Sequence, residues 1–183
     1  RVVDSLDRAD QMIRDLLDAH RISAHLGLPL DVTECDLREL IQKTMDSLVI
    51  VYGDQFVFQS QGPIKGWWDR NYLRRAIENL CGNAVKYGYS NAPVRISLTA
   101  PEHPSGSEVR ISVNNQGKPL SPDEQKELFQ LFHRSKSAQV SGTKGWGIGL
   151  TLVKGVAESH GGSVRIQSEA EKGTTFTMLL PVD

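Results

Sequence analysis

The stretch NLCGNAVKYG, residues 79–88, carries two asparagines and a lysine inside a segment that has the pattern of an ordinary amphipathic helix. Four apolar residues recur by four, three and four and predict the buried face of a helix over 70–87: Leu73, Ile77, Leu80 and Ala84. Asn79, Asn83 and Lys86 recur by four and three on an adjacent face, so their side chains form one column. Helix propensity gives no reason for two asparagines in that column.

This column has a chemical and a structural interpretation. An amide oxygen is a neutral ligand for magnesium, which keeps several waters and shares phosphate oxygens with a nucleotide. A lysine one turn away can contact the same phosphates. In the structural interpretation the asparagines are solvated and the lysine is an ordinary surface charge, and the column alone does not decide between the two.

A cluster of glycines precedes the next helical pattern. The stretch GTKGWGIGL, residues 142–150, contains Gly142, Gly145, Gly147 and Gly149. Glycines let backbone N–H groups approach phosphates closely, and the N-terminus of a helix supplies partial positive charge for them. No strand leads directly into the cluster and no Gly-Lys-Ser/Thr ends it, so it is neither a dinucleotide-binding fingerprint nor a P-loop.

Two strand ends complete the pattern. Asn115 stands at the end of the strand EVRISV, with Gly117 in the turn that follows, a position from which a side chain can contact a base edge. The alternative is an asparagine-rich turn with no function. Gly173 begins the last strand, where the hydroxyl of Thr174 is a further candidate ligand.

Composition narrows the class of protein. With 183 residues, 21 basic and 22 acidic side chains and a net charge of −1, the chain fits one domain plus an appendage, and nothing indicates a nucleic-acid partner. Cys35 and Cys81 are far apart and are expected to be reduced core thiols of a cytoplasmic domain. No apolar run would cross a bilayer, but the chain starts at Arg1 within a helical pattern, so we expect a longer parent protein, soluble or anchored in the inner membrane.

The opening residues predict a helix that packs against partner helices. Its apolar positions follow heptad spacing, and a histidine continues the series: Val2, Leu6, Ala9, Ile13, Leu16 and His20. A lone helix of this length is marginal in water, so it needs a partner. Gly27 and Pro29 end the pattern, and we place a domain boundary between residues 27 and 28.

Helical and strand patterns are interspersed in the rest of the chain. Asp36, Asp69 and Ser121 are predicted N-caps of helices. Strands are predicted at QFVFQ, IKGWW, VRISL, EVRISV, SVRIQS and TTFTMLL. These elements predict an α+β protein, a two-layer α/β sandwich with one sheet face covered, preceded by a coiled-coil-like helix.

In order and spacing, the quoted segments resemble a known family. ENLCGNAVKY, VNNQGKPL, LFQLFHRS, GWGIGL and GTTFTMLLP are similar to the N, G1, F, G2 and G3 boxes of the ATP-binding domain of sensor histidine kinases. That domain shares a superfamily with DNA gyrase, MutL and the heat-shock chaperones. The resemblance implies a Bergerat-type ATP-binding fold over 28–183, with a lid over about 119–144, and it makes 1–27 similar to the second helix of the family's dimerisation and phosphotransfer hairpin.

The resemblance also implies a role for each site residue. Asn83 would bind magnesium, Asn79 would support the metal and the phosphates, and Lys86 would contact the phosphates. The other nucleotide contacts that it implies are Tyr87, Asn115, Gly117, Lys144, Gly145, Gly147, Gly149 and Thr174.

Some positions depart from the family's pattern. The G1 box usually has an aspartate where this sequence has Asn115 and a glycine where it has Pro119, and Trp146 is unusual in the G2 box. Asn115 can accept a hydrogen bond from adenine without the charge of a carboxylate, or, when flipped, donate to a guanine carbonyl, so the choice of nucleotide stays open. Phe129 and Phe132 match the F box, where anchoring the lid helix is a sufficient role.

By resemblance, the intact protein transfers the γ-phosphoryl group of Mg-ATP to a histidine and thence to an aspartate of a response-regulator receiver domain, as a homodimer joined through the N-terminal helix. None of the five histidines is followed by an acidic residue, so we expect the phosphoacceptor outside this sequence and no autophosphorylation by this fragment alone. Two alternatives stay open: a noncatalytic regulatory or dimerisation module with a degenerate nucleotide site, and a nucleotide-gated ATPase clamp with Glu78 as its water-activating carboxylate.

Overall fold

A computed structural model describes residues 2–100, 108–129 and 148–182, with the backbone alone for residues 2–9. The elements in these ranges are, in chain order, α1 Val2–Ser23, β1 Thr33–Asp36, α2 Leu37–Tyr52, β2 Phe56–Ser60, β3 Lys65–Trp68, α3 Arg70–Tyr87, β4 Val94–Thr99, β5 Glu108–Asn115, α4 Pro122–Glu127, α5 Gly149–Ser159, β6 Ser163–Glu169 and β7 Gly173–Pro181. Among these helices, none is both long and apolar enough to cross a membrane.

The main sheet has five strands in the order β2-β4-β5-β7-β6. β2 runs parallel to β4, and the other neighbours are antiparallel. Side chains alternate along β4 and β5, so that one face of the sheet joins the core formed with α2, α3 and α5. The predicted α+β class and its two-layer arrangement are confirmed, because the helices cover one face of the sheet.

A separate two-stranded sheet pairs β1 with β3 in antiparallel register. The predicted strands QFVFQ and IKGWW both exist, but they do not pair with each other, because β2 joins β4 in the main sheet. β1 is absent from the sequence-based prediction, since four residues are too few for a clear alternation. Trp68 closes this sheet onto the end of β7: its ring is 1% exposed, and its Nε1 donates to the carbonyl of Pro181 at 2.8 Å.

Helix α3 begins at a buried cap. The Asp69 side chain is an N-cap as predicted, accepting hydrogen bonds from the backbone N–H groups of Asn71 and Tyr72 at 2.9 Å each. Its second oxygen accepts from the backbone N–H of Asp31 at 2.7 Å. One carboxylate therefore fixes both the start of α3 and the segment before β1.

His160 supports the same cap from the end of α5. Its Nε2 accepts a hydrogen bond from the backbone N–H of Asp69 at 2.9 Å, and its Nδ1 lies 2.7 Å from the carbonyl of Val156. This pattern assigns the ring proton to Nδ1, because Nε2 acts as an acceptor. The structure thus gives a positioning role to a histidine that the sequence leaves without one.

Polar contacts join α1 to α3. Arg75 of α3 pairs with Asp15 at 2.6 Å and with Asp18 at 2.8 Å, and Tyr72 donates to Asp18 at 3.1 Å. The guanidinium also lies 5.2 Å from the centroid of the Tyr72 ring. These partners hold α1 against the domain through a partly buried cation shared by two carboxylates.

The apolar contacts of α1 use a face that differs from the heptad series. Ala19 is buried, and Ile22 packs so closely on α5 that a Cβ added at Gly155 would lie 2.3 Å from the Ile22 Cδ1. Two heptad positions remain outside this contact, with Ile13 57% exposed and Leu16 44% exposed. Helix α1 therefore has a face that contacts the domain and a second, apolar face that lies open in this chain.

Removing the buried cap is expected to cost more than removing an exposed one. Asp69→Ala leaves two helix N–H groups and the N–H of Asp31 without the buried carboxylate that accepts from all three, which we expect to lower the free energy of unfolding by about 2 to 4 kcal/mol. Asp36→Ala, the matched control, removes the cap of α2, whose bonds to Arg38 and Glu39 are exposed, and should cost about 0.5 to 2 kcal/mol. Urea unfolding checks the difference, and equal losses would show that the contact to Asp31 contributes nothing.

Candidate functional site

The column on α3 carries two asparagine amides and a lysine: Asn79, Asn83 and Lys86. The Asn79 amide donates through Nδ2 to the carbonyl of Arg75 at 2.8 Å, which fixes the side chain, and its Oδ1 accepts no hydrogen bond within the described ranges. Asn83 is half-buried, and in the described part of the chain its amide makes no hydrogen bond. No group of three His, Cys, Asp or Glu side chains in the same ranges is placed to hold a metal. The candidate metal ligand on these elements is therefore an amide oxygen.

The start of α5 lies directly against this column. A Cβ added at Gly149 would lie 2.5 Å from Oδ1 of Asn79, closer than real side chains approach, so only glycine allows this contact. Among the described residues no side chain caps α5, whereas Asp36, Asp69 and Ser121 cap α2, α3 and α4. The first backbone N–H groups of α5 are therefore available for an anion beside Asn79.

The other end of α3 meets the turn after β5. Gly88 forms an isolated antiparallel bridge with Gly117, and the N–H of Tyr89 donates to the carbonyl of Gln116 at 2.7 Å. A side chain at Gly117 would collide with the Tyr87 carbonyl, 2.5 Å from its Cβ. The turn that follows Asn115 is thereby held against the C-terminal end of the column.

Lys86 and Tyr87 lie at this end of α3. The Lys86 Nζ is 5.0 Å from the centroid of the Tyr87 ring, a cation–π distance, and the ring is 42% exposed. The contact orients the ammonium group at the end of the column, on the side of the exposed ring.

Asn115 and Thr174 lie opposite each other in the register of β5 and β7, and both are buried, at 6% and 5% exposure. The Thr174 hydroxyl lies 2.7 Å from Oγ of Ser168 on β6. Ser168 in turn accepts a hydrogen bond from the backbone N–H of Leu120 at 2.9 Å. The predicted pair of strand ends is therefore joined to the beginning of the predicted lid.

The described part of the F box contacts the core. The ring of Phe129 packs edge-on against Phe176 at a centroid distance of 6.3 Å, and its carbonyl accepts from the hydroxyl of Thr151 at 3.4 Å. These contacts match the anchoring role considered for this residue.

The structure brings most of the predicted site residues together. Neighbouring contacts link the column on α3, the start of α5 and the ends of β5 and β7. The remaining predictions fall on residues outside the described ranges: Phe132, Lys144, Gly145, Trp146 and Gly147. Their roles stay predictions.

Burial changes the ionisation of two residues on α3. Burial raises the pKa of the Cys81 thiol to about 12, and the nearby Glu78 carboxylate adds to the shift. Burial also raises the pKa of Glu78, opposed by the positive charges of Arg74 and Arg75. Cys81 is fully buried and is therefore the inert core thiol that the sequence predicts.

Comparison with known proteins identifies this arrangement. The histidine kinase-, DNA gyrase B- and HSP90-like ATPase family matches residues 68–183, which hold every described site residue named above. The chain belongs to this ATPase family. ATP is the ligand that the match supports, and the predicted resemblance to the ATP-binding domain of sensor histidine kinases is confirmed.

Several relatives are sensor kinases. SenX3 of Mycobacterium tuberculosis, a sensor-like histidine kinase, is 27% identical over 99% of this chain, which spans 44% of that protein. The sensor histidine kinase RppB of Synechocystis is 28% identical over 96% of this chain, which spans 38% of RppB. The chain therefore spans less than half the length of these curated relatives and corresponds to their ATP-binding catalytic domain.

Solved structures agree on the fold. The mycobacterial sensor histidine kinase MprB superposes with a TM-score of 0.70 at 25% identity, over 81% of this chain and 96% of MprB. Full-length ShkA, solved in complex with AMPPNP, superposes with a TM-score of 0.79 at 24% identity, over 97% of this chain and 36% of ShkA.

Three residues near the site are missing from the sequence-based prediction. Ser168 connects Thr174 with Leu120 at the start of the predicted lid, Arg75 holds the Asn79 amide through its carbonyl, and His160 supports the cap of α3. Alternation along β6 signals that Ser168 faces one side of the sheet, but its partner on β7 depends on the strand register. The other two act through contacts between distant segments.

The raised pKa of Cys81 predicts a loss of stability at high pH. The thiol stays protonated in the folded state up to about pH 12 but ionises near pH 9.0 when unfolded, so unfolding releases a proton between these values. The stabilisation is complete below pH 9 and should fall by about 1.4 kcal/mol per pH unit above it. Urea unfolding of wild type and Cys81→Ala from pH 7 to pH 11 measures this loss.

The difference in unfolding free energy between the two proteins should be constant below pH 8 and shift in favour of Cys81→Ala above pH 9. The other groups that titrate in this range are common to both proteins. Parallel curves over the whole range would contradict a raised pKa for this thiol.

Proposed function

We propose that this chain is the nucleotide-binding part of a protein-histidine kinase that transfers the γ-phosphoryl group of Mg-ATP to a histidine, and thence to an aspartate of a response-regulator receiver domain. The observation that carries the proposal is the contact of Asn79 with Gly149, which sets the amide column of α3 beside the uncapped start of α5. This contact supports the proposal because an amide oxygen, the kind of neutral ligand that binds magnesium, lies beside helix N-terminal N–H groups, the kind of donor that binds phosphate.

Each residue of the site has a role in this proposal. The amide oxygen of Asn83 would bind magnesium, the acceptor of Asn79 would support the metal and the phosphates, and Lys86 would pair with phosphate oxygens. The N–H groups at the start of α5, with those of Gly145 and Gly147, would hold the phosphates, and Lys144 would add a cation. Asn115, Gly117 and Thr174 would contact the base, with Tyr87 beside the nucleotide.

This arrangement suits phosphoryl transfer because the reaction needs mainly positioning and charge neutralisation. A magnesium ion bound there would neutralise phosphate charge. The protein contributes fixed donors and a lysine whose ammonium is oriented by the Tyr87 ring. The fixed Asn79 amide adds a preorganised acceptor, since its Nδ2 is already hydrogen-bonded.

The partners follow from the two faces of α1. The open heptad face, including Ile13 and Leu16, supports a homodimer in the parent protein through residues 1–27 as the second helix of a dimerisation and phosphotransfer hairpin. Residues 28–183 are then the kinase domain, with its lid over about 119–144. We place this domain in the cytoplasm, whether the parent protein is soluble or anchored in the inner membrane.

The metal ligand gives the first test of the proposal. Asn83→Ala should weaken binding of a non-hydrolysable ATP analogue about tenfold or more in magnesium, and change it little in EDTA, because the lost amide acts on the metal. Calorimetric titration of the chain measures both affinities. Asn71→Ala, an exposed position on the same helix, is the matched control and should bind as wild type does.

The outcomes separate the competing functions. No binding by wild type in either condition would favour a regulatory module with a degenerate nucleotide site. Slow ATP hydrolysis by the chain that Glu78→Ala abolishes would favour the ATPase clamp, for which the burial-raised pKa of Glu78 provides a suitable base.

The contact between α3 and α5 gives a second test. Gly149→Ala places a Cβ 2.5 Å from Oδ1 of Asn79, so the amide must shift away from the position in which its Nδ2 donates to the carbonyl of Arg75. We expect little loss of stability and about a tenfold or greater loss of nucleotide affinity, since small displacements in a preorganised site have large effects. Calorimetry and thermal unfolding measure the two effects.

Gly82→Ala is the matched control on α3. Its Cβ would meet the Tyr52 hydroxyl at 3.4 Å, a tolerable contact, and an alanine in a helix is favoured over glycine by about 0.5 to 1 kcal/mol. This variant should bind as wild type and be equally or more stable. If Gly149→Ala also binds as wild type, the contact with Asn79 does not define the site.

A further inference from the structure

Strand β5 ends in two asparagines with opposite environments. The Nδ2 of Asn114 donates to the carbonyl of Lys172 at 3.0 Å and to the hydroxyl of Thr175 at 2.8 Å. Asn115 faces the other side of the sheet, is 6% exposed, and makes no side-chain hydrogen bond within the ranges that the structure describes. The amide atoms of Asn115 keep some solvent contact, since Nε of Arg75 is the only fully buried side-chain N or O atom without a partner among the described residues. A ligand can therefore reach this amide and form hydrogen bonds that the protein itself does not supply.

The residue opposite Asn115 on β7 carries a hydroxyl group that pairs with a second hydroxyl on β6. Thr174 is its cross-strand partner, and the Thr174 and Ser168 hydroxyls lie 2.7 Å apart, close enough for either to donate. Ser168 also accepts from the N–H of Leu120. Hydroxyls rotate and an amide can flip, so this group of side chains has no fixed hydrogen-bond polarity.

We propose that the nucleotide site accepts purine nucleotides with either an amino or an oxo group at position 6, and that Asn115 is the residue that permits both. The inference rests on the proposed function, because it requires the base of the bound nucleotide to lie at Asn115. It adds a class of substrate, the 6-oxopurine nucleotides, to ATP.

Adenine and hypoxanthine present opposite hydrogen-bonding groups at the base edge formed by position 6 and N1. Adenine presents an amino donor at position 6 and an acceptor at N1, whereas hypoxanthine presents an oxo acceptor and an N1–H donor. The Asn115 amide carries one acceptor and one donor group side by side, so a flip of the amide pairs it with either base. An ionised carboxylate in the same place would offer acceptors alone and would repel the oxo group.

The test compares ADP with IDP, two diphosphates that differ at this edge of the base and share every phosphate contact. Calorimetric titration of the full chain in magnesium should give dissociation constants within about fivefold of each other, since the same amide pairs with both. Asn115→Asp, nearly identical in shape, should weaken IDP relative to ADP by about 5- to 150-fold, the range for a mispaired base edge.

Asn114→Asp is the matched control. It introduces the same charge one residue away on the opposite face of β5, and it removes the donor to Lys172 and Thr175, so it should lower stability without changing the ratio of ADP to IDP affinity. A change of the same size in this variant would mean that charge alone, and not the orientation of the Asn115 amide, sets the ratio, which overturns the inference.

The wild-type comparison is decisive without any variant. If ADP binds more than about a hundredfold tighter than IDP, the inference is wrong, because the amide then has one fixed orientation. If ADP binds that much more tightly and Asn83→Ala also weakens ADP binding, the proposed nucleotide site is supported. Only the inference that the site accepts both kinds of purine is then wrong. If neither diphosphate binds, the proposed function fails together with the inference.

Discussion

The close approach of α3 to α5 is the constraint on which the rest of the site depends. The two helices are far apart in sequence, and they meet where Gly149 offers no side chain to Oδ1 of Asn79. A bond from Asn79 to the carbonyl of Arg75 fixes the amide, so the contact is set by backbone positions and not by a free rotamer. The same helix brings its far end to the turn at Gly117, so a single rigid element aligns both halves of the site.

Arg75 connects this arrangement to α1. Its carbonyl holds Asn79, and its guanidinium binds Asp15 and Asp18, while its buried Nε has no partner in the part of the chain that the structure describes. A partly buried ion pair costs desolvation and is weak evidence for stability. Its geometry nevertheless selects one docking position, because moving α1 would leave the partly buried cation of Arg75 without its two carboxylates. The docked position of α1 and the position of the Asn79 amide are thus set by one residue.

Much of this fold could be predicted from the sequence, because periodicity reports which side of an element is buried. The heptad and helical patterns gave α1, α2 and α3, and alternation gave the five strands of the main sheet. Strand pairing could not be predicted in the same way. β2 and β3 are recognisable as strands, but their pairing partners depend on the topology of the whole sheet, and β1 is too short to recognise as a strand. The contact of His160 with the Asp69 cap bridges distant residues, and no local pattern signals it.

The sequence predicts which residues form the site, and the structure adds which hydrogen-bonding groups of each side chain already have partners. Asn114 and Asn115 are the same residue type, but side chains alternate between the two faces of β5. The Asn114 amide therefore finds hydrogen-bond partners, whereas the Asn115 side chain is buried on the other face and has no hydrogen-bond partner in the described ranges. Asn79 is half satisfied, with one end fixed and one end open. A neutral amide can be held in this way because its burial costs much less than that of an unpaired charge. Asparagines therefore allow the protein to keep preorganised, unfilled hydrogen-bonding positions next to its core at a lower desolvation cost than ionised carboxylates.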